Sequence, residues 1–252
     1  MKKLIVAFTF AGALSVFADT VESSTTFGVL KVDVAAGTKN LVIAVPWEAA
    51  GATGETAGKV YVKDLVKTSN LTAGDQIFVF DGQNYSKAFI LKEEDGVKSW
   101  VGQKMEGDIT AAAGTDTDTI SRGLAIGFSY ATAPAAATSI YLYGQYTTDA
   151  ASATIAAGSS STPTYTLVAP TGTTTVTLDT TTLGSFTPNA ADTVYIPGKG
   201  SYSYVSEKGF GSVSDVWNGG ESKFISTFTA ATVPAGTGYW YISRGGSGTI
   251  SL

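Results

Sequence analysis

The chain contains no histidine and no cysteine. Without imidazole there is no general base of the usual kind, no Ser-His-Asp or Cys-His arrangement and no nitrogen ligand for a transition metal. Without thiols there is no disulfide scaffold, no thiolate nucleophile and no zinc or iron–sulfur site. Arginine is scarce: Arg122 and Arg244 are the two in the chain, among 16 basic residues set against 21 acidic ones, for a formal charge of −5. The lysines do not cluster, so neither nucleic acid nor an anionic membrane surface finds an electrostatic footprint. Helical patterns are missing too, since no long window sustains apolar residues at the helical period between capping residues.

What is present begins with a short basic start, Met1-Lys2-Lys3, and an apolar run, Leu4–Phe17. Small residues, Val16 and Ala18, precede Asp19, which predicts an export signal peptide over 1–18. The run is too short to cross a bilayer comfortably, no basic stop-transfer segment follows it, and no later apolar run reaches spanning length. Cleavage after Ala18 leaves 252 − 18 = 234 residues and removes Lys2 and Lys3, so 14 basic groups face 21 acidic ones, a charge of −7. A chain of that length buries about 70–75% of its unfolded surface and can stand on its core without disulfides. High Thr, Ser, Gly and Ala content with few charges suits an exported β-protein.

The remaining sequence reads as strands. Val29–Val34 alternates apolar and polar residues, and Leu41–Val45 is a β-branched run ended by Pro46. Gln76–Phe80 and Tyr85–Lys92 flank Asp81-Gly82, and Asp95-Gly96 marks a second tight turn. Leu124–Tyr130 and Ile140–Tyr146 follow, with Val60–Val66 open between strand and short helix and Glu106–Thr119 a surface loop. From Ala153 the pattern restarts. Ala153–Gly158 answers Val32–Gly37, Leu167–Pro170 answers Leu41–Pro46, Gly236 answers Gly123, and Ile250-Ser251-Leu252 answers Ile140-Tyr141-Leu142. Asp75 precedes Tyr85 by 10 residues and Trp100 by 25, and Asp192 precedes Tyr202 and Trp217 by the same intervals. The expectation is an all-β fold of two tandem related antiparallel β-sandwich or barrel-like modules, 19–149 and 150–252, with Trp100 and Trp217 in equivalent core positions. One sandwich shared by both copies is the alternative.

Chemistry-bearing residues are few. Carboxylate pairs remain the catalytic option, and a glycosidase needs two across a cleft. Glu48 has no identified partner, and Glu93-Glu94-Asp95 reads as a solvated turn, so no catalytic residue is assigned. Asp116 and Asp118 place oxygen ligands two residues apart; calcium is the metal reading, without the spacing of an EF-hand, and a plain acidic loop the alternative. Aromatics supply the candidate ligand site: Trp47, Tyr239, Trp240 and Tyr241. Three consecutive aromatics on a strand must point to both faces, so one side is expected buried and the other partly exposed.

Gly74-Asp75, Ile77, Val79, Asp81-Gly82, Trp100 and then Pro234, Gly236, Gly238, Tyr239 and Trp240 resemble a duplicated module of exported, uncharacterised β-rich proteins of Gram-negative bacteria. The resemblance implies export and β-structure and assigns no site. The first copy departs from it with Gly123–Phe128 in place of the aromatic triplet, and the second has Pro197-Gly198 in place of Asp81-Gly82. The expected role is an exported non-catalytic structural, adhesive or surface-assembly protein, meeting itself, other surface proteins or glycans, with no cofactor beyond that calcium reading. Carbohydrate binding through exposed aromatics is the alternative, and a carboxylate-dependent glycoside hydrolase a further one. An outer-membrane barrel is disfavoured because Leu41–Val45 breaks the in/out alternation that a barrel requires.

Overall fold

The computed structural model describes residues 26–49, 57–80, 84–106, 110–146, 151–171, 174–218 and 223–251, excluding the side chains of 26, 27, 146, 216–218 and 223–225. The candidate signal peptide 1–18, the Asp81-Gly82 turn, the proposed boundary at 149/150 and the Trp217 side chain lie outside what is described.

The fold is all-β. In the N-terminal half, β1 (Thr26–Val34), β2 (Asn40–Ala44) and β3 (Lys59–Tyr61) lead to a one-turn helix, α1 (Val62–Leu65). Then come β4 (Gln76–Phe80), β5 (Tyr85–Glu94), β6 (Val97–Gly102), β7 (Ala112–Ala113), β8 (Thr119–Ser121), β9 (Ala125–Ser129) and β10 (Thr138–Tyr146). The C-terminal half begins with β11 (Ser152–Ile155), β12 (Thr164–Val168), β13 (Val176–Thr177) and a second short helix, α2 (Thr180–Leu183). It continues through β14 (Thr193–Ile196), β15 (Gly200–Val205), β16 (Gly209–Asn218), β17 (Lys223–Ala230), β18 (Thr232–Val233), β19 (Tyr239–Ser243) and β20 (Gly248–Ser251).

The main sheet of the first half has the order β2-β9-β4-β5-β6, and that of the second β12-β19-β14-β15-β16-β17. Two-stranded ladders β1-β10 and β3-β8 accompany the first sheet, as β11-β20 and β13-β18 accompany the second. Apart from the short parallel contact of β7 on β5, the pairings between strands are antiparallel. Both main sheets are open, with β2 and β6 at the edges of one and β12 and β17 at the edges of the other.

Period-2 alternation sets the layers. Ile43, Ile77, Phe89, Leu91 and Phe128 turn one face of the first sheet onto Leu30, Val32 and Val34 of β1, Ile140 and Leu142 of β10, and Val62 and Leu65 of α1. A second core gathers Ile155, Val194, Ile196, Phe210, Tyr239, Tyr241 and Ile250. The buried residues of the first core all lie within 30–142 and those of the second within 153–250.

Local chemistry explains several boundaries. The Asp95-Gly96 turn has φ values of 51° and 78°, the left-handed pair that a two-residue hairpin requires, and it closes β5 on β6 at Glu94↔Val97. Asp179 caps α2, its carboxylate accepting from the Thr182 amide at 3.0 Å. The segment 60–66, undecided between strand and helix, divides: β3 ends at Tyr61 and α1 runs on from Val62.

One expectation fails on register. Leu91 of β5 faces Trp100, whereas Tyr204 of β15 faces Phe210. Ile77 faces Phe89 and Val194 faces Tyr202, so Tyr202 stands where Phe89 does and not where Tyr85 does. Phe210 therefore holds the position of Trp100, and Trp217 lies seven residues further along β16, opposite Phe224. The matched intervals from Asp75 and Asp192 arise because the β14–β15 and β15–β16 hairpins are both shorter than their counterparts in the first half, and the longer run along β16 makes up the difference.

Candidate functional site

Two buried carboxylates frame the sheets. Asp75 and Asp192 each precede the second main-sheet strand of their half by one residue, and each is almost wholly buried. Asp75 accepts from the backbone amides of Thr72 and Ala131, both at 2.9 Å. Asp192 accepts from the amides of Asn189 at 2.9 Å and Arg244 at 2.6 Å, and from the Tyr241 hydroxyl at 2.7 Å. Both tie the turn before one strand to the end of its neighbour, with bonds of the charge-assisted kind. Burial, and then the Asp192 carboxylate, push the Tyr241 phenol well above its ordinary value, so it stays a donor. These groups have no free valence for a ligand and are structural.

The halves meet along the edge strands β2 and β12. The Ala44 amide donates to Gly236 O at 3.0 Å and the Gly238 amide to Val42 O at 3.1 Å, while Ala169 donates to Gly123 O at 2.8 Å. Gly123 and Gly236 both adopt positive φ, 89° and 75°, which L side chains resist. Val42, Ala44, Ala125, Leu167 and Ala169 form a small apolar core at this seam, with Phe80 and Trp240 packed against it.

Beside the seam the outer faces of the two sheets open into a groove. On the first sheet the row Val42–Gly127–Phe78 runs across β2, β9 and β4; on the second, Leu167–Trp240–Tyr195 runs across β12, β19 and β14. Gly127 leaves a floor where Trp240 supplies a wall. A depression of about 350 Å³ has Asn40, Gln76, Phe78, Tyr85, Ser129 and Trp240 among its lining residues. A second, of about 420 Å³, is lined by Phe80, Tyr165, Tyr195, Ser201, Trp240 and Ile242. Trp240 and Tyr195 line both, so the two adjoin.

The Trp240 indole is fixed edge-on by Phe80, with centroids 4.6 Å apart at 86°, and by Tyr165 at 6.4 Å and 84°. Phe80 in turn meets Tyr85 at 5.5 Å. Tyr165 and Tyr195 remain 38% and 40% exposed, so their rings are available at the groove. Burial raises the Tyr85 phenol, which stays protonated at neutral pH. The polar lining is amide and hydroxyl, and no carboxylate or ammonium group lines either depression.

A larger depression of about 580 Å³, lined by Lys63, Asp64, Lys98, Trp100 and Asp116, is less suited to a ligand. Both of its lysines are already engaged: Lys63 lies 3.4 Å from Asp116, and Lys98 donates to Leu71 O at 2.7 Å.

Of the four aromatics expected to bind a ligand, Trp240 alone reaches the groove. Tyr239 and Tyr241 alternate with it and point into the second core, where they are buried. Trp47 is also buried, its ring against the facing glycines Gly28 of β1 and Gly144 of β10; a Cβ on either would lie within 2.6 Å of Trp47 atoms. These three are corrected from ligand platform to core. Asp118 accepts from the Thr115 amide at 2.7 Å and lies 3.9 Å from Lys87, and among the described residues no group of three or more acidic side chains is placed to hold a metal ion. Glu48 accepts from the Gly58 amide at 2.7 Å, whereas Glu93, Glu94 and Asp95 lie exposed at the β5–β6 turn. Among the described residues no helix is long and apolar enough to cross a membrane.

No family model matches the chain, and neither does any curated protein or solved structure. The groove is read from its own chemistry. Sequence reasoning missed Phe80, Tyr85, Tyr165 and Tyr195. The available signal was period 2 in Gln76–Phe80, which puts Phe78 and Phe80 on the face opposite Ile77 and Val79, but alternation does not say which face the core takes.

Proposed function

We propose that the chain is an exported, non-catalytic adhesive protein of two related β-modules that holds a neutral glycan in the groove around Trp240. The observation that carries the reading is the pairing of half-exposed aromatic rings with uncharged polar side chains in one concave site. A pyranose ring offers apolar C–H faces and a rim of hydroxyls. Tyr165, Tyr195 and the Trp240 indole offer matching apolar surface, and Asn40, Gln76 and Ser129 offer donors and acceptors for the rim. The absence of charge in the lining favours a neutral sugar over a phosphorylated or uronic one, because an unpaired buried charge would cost several kcal/mol. Two adjoining depressions favour an oligosaccharide over a monosaccharide.

Support for the two-module part comes from the strand orders, which correspond when each strand number is raised by ten, β7 and β17 excepted, and from Asp75 and Asp192 at matching places. Export rests on the signal-like segment 1–18 and on a composition rich in Thr, Ser, Gly and Ala with few charges. The test is an array of neutral oligosaccharides followed by calorimetric titration of the best ligand. Trp240→Ala and Tyr195→Ala should each weaken binding by about tenfold or more while circular dichroism stays unchanged. A folded protein that binds no neutral glycan, or that binds equally well after both substitutions, sinks the reading.

A further inference from the structure

We infer that the outer edge of β17 joins two copies of this chain by antiparallel strand pairing. The four sheet edges are treated differently. β2 and β12 are each covered at the seam by backbone of the other half. β6 is six residues long, carries Lys98, and has Gly102 pressed against the backbone of Gly114. β17 also carries a lysine, Lys223 at its first position, but among the described residues no other backbone covers its outer edge. It is eight residues long, holds no proline and, among the described residues, pairs with β16 alone.

The strand also belongs to an arm with no counterpart among the described residues of the first half. Pairing of β15 with β16 ends at Ser203↔Gly211, whereas β16 and β17 pair onward from Ser212↔Thr229 to Asn218↔Lys223. Ser212–Asp215 of β16 and Ser226, Thr227 and Thr229 of β17 are exposed, Val213 at 53%. A two-stranded ladder standing in water is marginal by itself, and a third strand is the ordinary way to secure it. A free edge of this length is a template for such a strand.

Backbone geometry says which groups are free. The Ala231 amide donates to Phe210 O at 2.7 Å, on the same register line as Gly211↔Ala230. Residues alternating from Ala231 therefore turn their N–H and C=O groups toward β16, and Ser226 and Phe228 turn theirs outward. The edge is self-complementary. Pairing centred on Ser226 or on Thr227 sets Lys223, the single charge of β17, opposite Thr229 or Ala231 of the second copy. Like charges do not meet, which matters for a chain of net charge −5. The pairing is isologous, as a closed dimer requires.

Sedimentation equilibrium of the purified chain, from about 1 to 100 µM, tests this. A dimer is expected. Ser226→Pro removes an outward donor and spares the β16 ladder, so it should raise the dimer dissociation constant about tenfold or more. Ser226→Lys, made together with Asp215→Asn because the Ser226 hydroxyl donates to the facing Asp215 carboxylate, keeps the backbone donor and sets like charges near the two-fold axis, so it should act in the same direction even if the proline variant misfolds. Trp240→Ala should leave the dimer intact, which separates this inference from the glycan reading. A wild-type chain that stays monomeric across the range overturns it, as does a dimer that neither Ser226 variant weakens.

Discussion

The two halves of the molecule solve one packing problem with different residues. Each buries an aspartate beside its main sheet, but Asp75 is held by two backbone amides and Asp192 by two amides and a phenol. Register explains the extra donor. Phe128 faces Ile77 in the first sheet, and Tyr241 faces Val194 in the second. Where the first half has a ring without a hydroxyl, the second has one with it, aimed at the carboxylate. The same offset puts Gly127 where the other sheet has Trp240, so the two outer faces differ in shape although their strand orders correspond. One framework thus tolerates exchanges at a fixed position as long as a buried charge keeps its donors and a buried ring keeps its volume.

The sharpest way to break this comparison is to remove the carboxylates. Asp192→Ala strands three donors, two of them backbone, and should cost about 4–6 kcal/mol in urea unfolding; Asp75→Ala strands two and should cost about 2–4 kcal/mol. The reverse order would show that the two sites do not play matching parts. Tyr241→Phe makes the second half resemble the first and should cost about 2 kcal/mol, read from the same urea midpoints. The hydroxyl of Tyr130, by contrast, has no hydrogen-bond partner among the described residues, so Tyr130→Phe should change stability by less than about 0.5 kcal/mol at neutral pH.

Glycines sharpen the comparison at the seam. A Cβ on Gly238 would stand 2.5 Å from the Ala125 Cβ and 2.9 Å from Val168 O, so Gly238→Ala should cost about 2 kcal/mol by thermal unfolding. On Gly127 the nearest atom would be the Phe78 Cβ at 3.4 Å, an ordinary contact, so Gly127→Ala should be near neutral. Equal costs would mean that the seam yields more easily than its close contacts imply.

A further difference shows in alkaline stability. Burial, and then the Asp75 carboxylate, raise the Tyr130 phenol from 10.0 to about 12, and burial raises Tyr239 and Tyr241 as well. A raised phenol binds its proton more tightly in the folded state. Its contribution is therefore complete below pH 10.0 and falls away as pH rises through about 12. Urea midpoints should drop over that window, and Tyr130→Phe should make the drop shallower. An unchanged slope in the variant would remove Tyr130 from the account.

Much of the strand pattern was legible because alternation and turn chemistry are local. Asp95-Gly96 named its own turn, Leu41–Val45 its own strand, and the split of Tyr239 and Tyr241 from Trp240 followed from period 2. The groove was not legible, because its walls come from β4, β12, β14 and β19, and alternation cannot assign a face to core or solvent. Spacing misled in one place: equal intervals to Trp100 and Trp217 concealed hairpins of unequal length.

Composition and short-range backbone preference are enough to decide β-structure, the lack of imidazole and thiol chemistry, and the positions of Asp75 and Asp192 ahead of their strands. Packing between distant segments made Trp47 core, put Trp240 at a groove and left the outer edge of β17 without a partner strand among the described residues. Each of those depends on which distant backbone comes to lie within a few ångströms, and no local pattern encodes it.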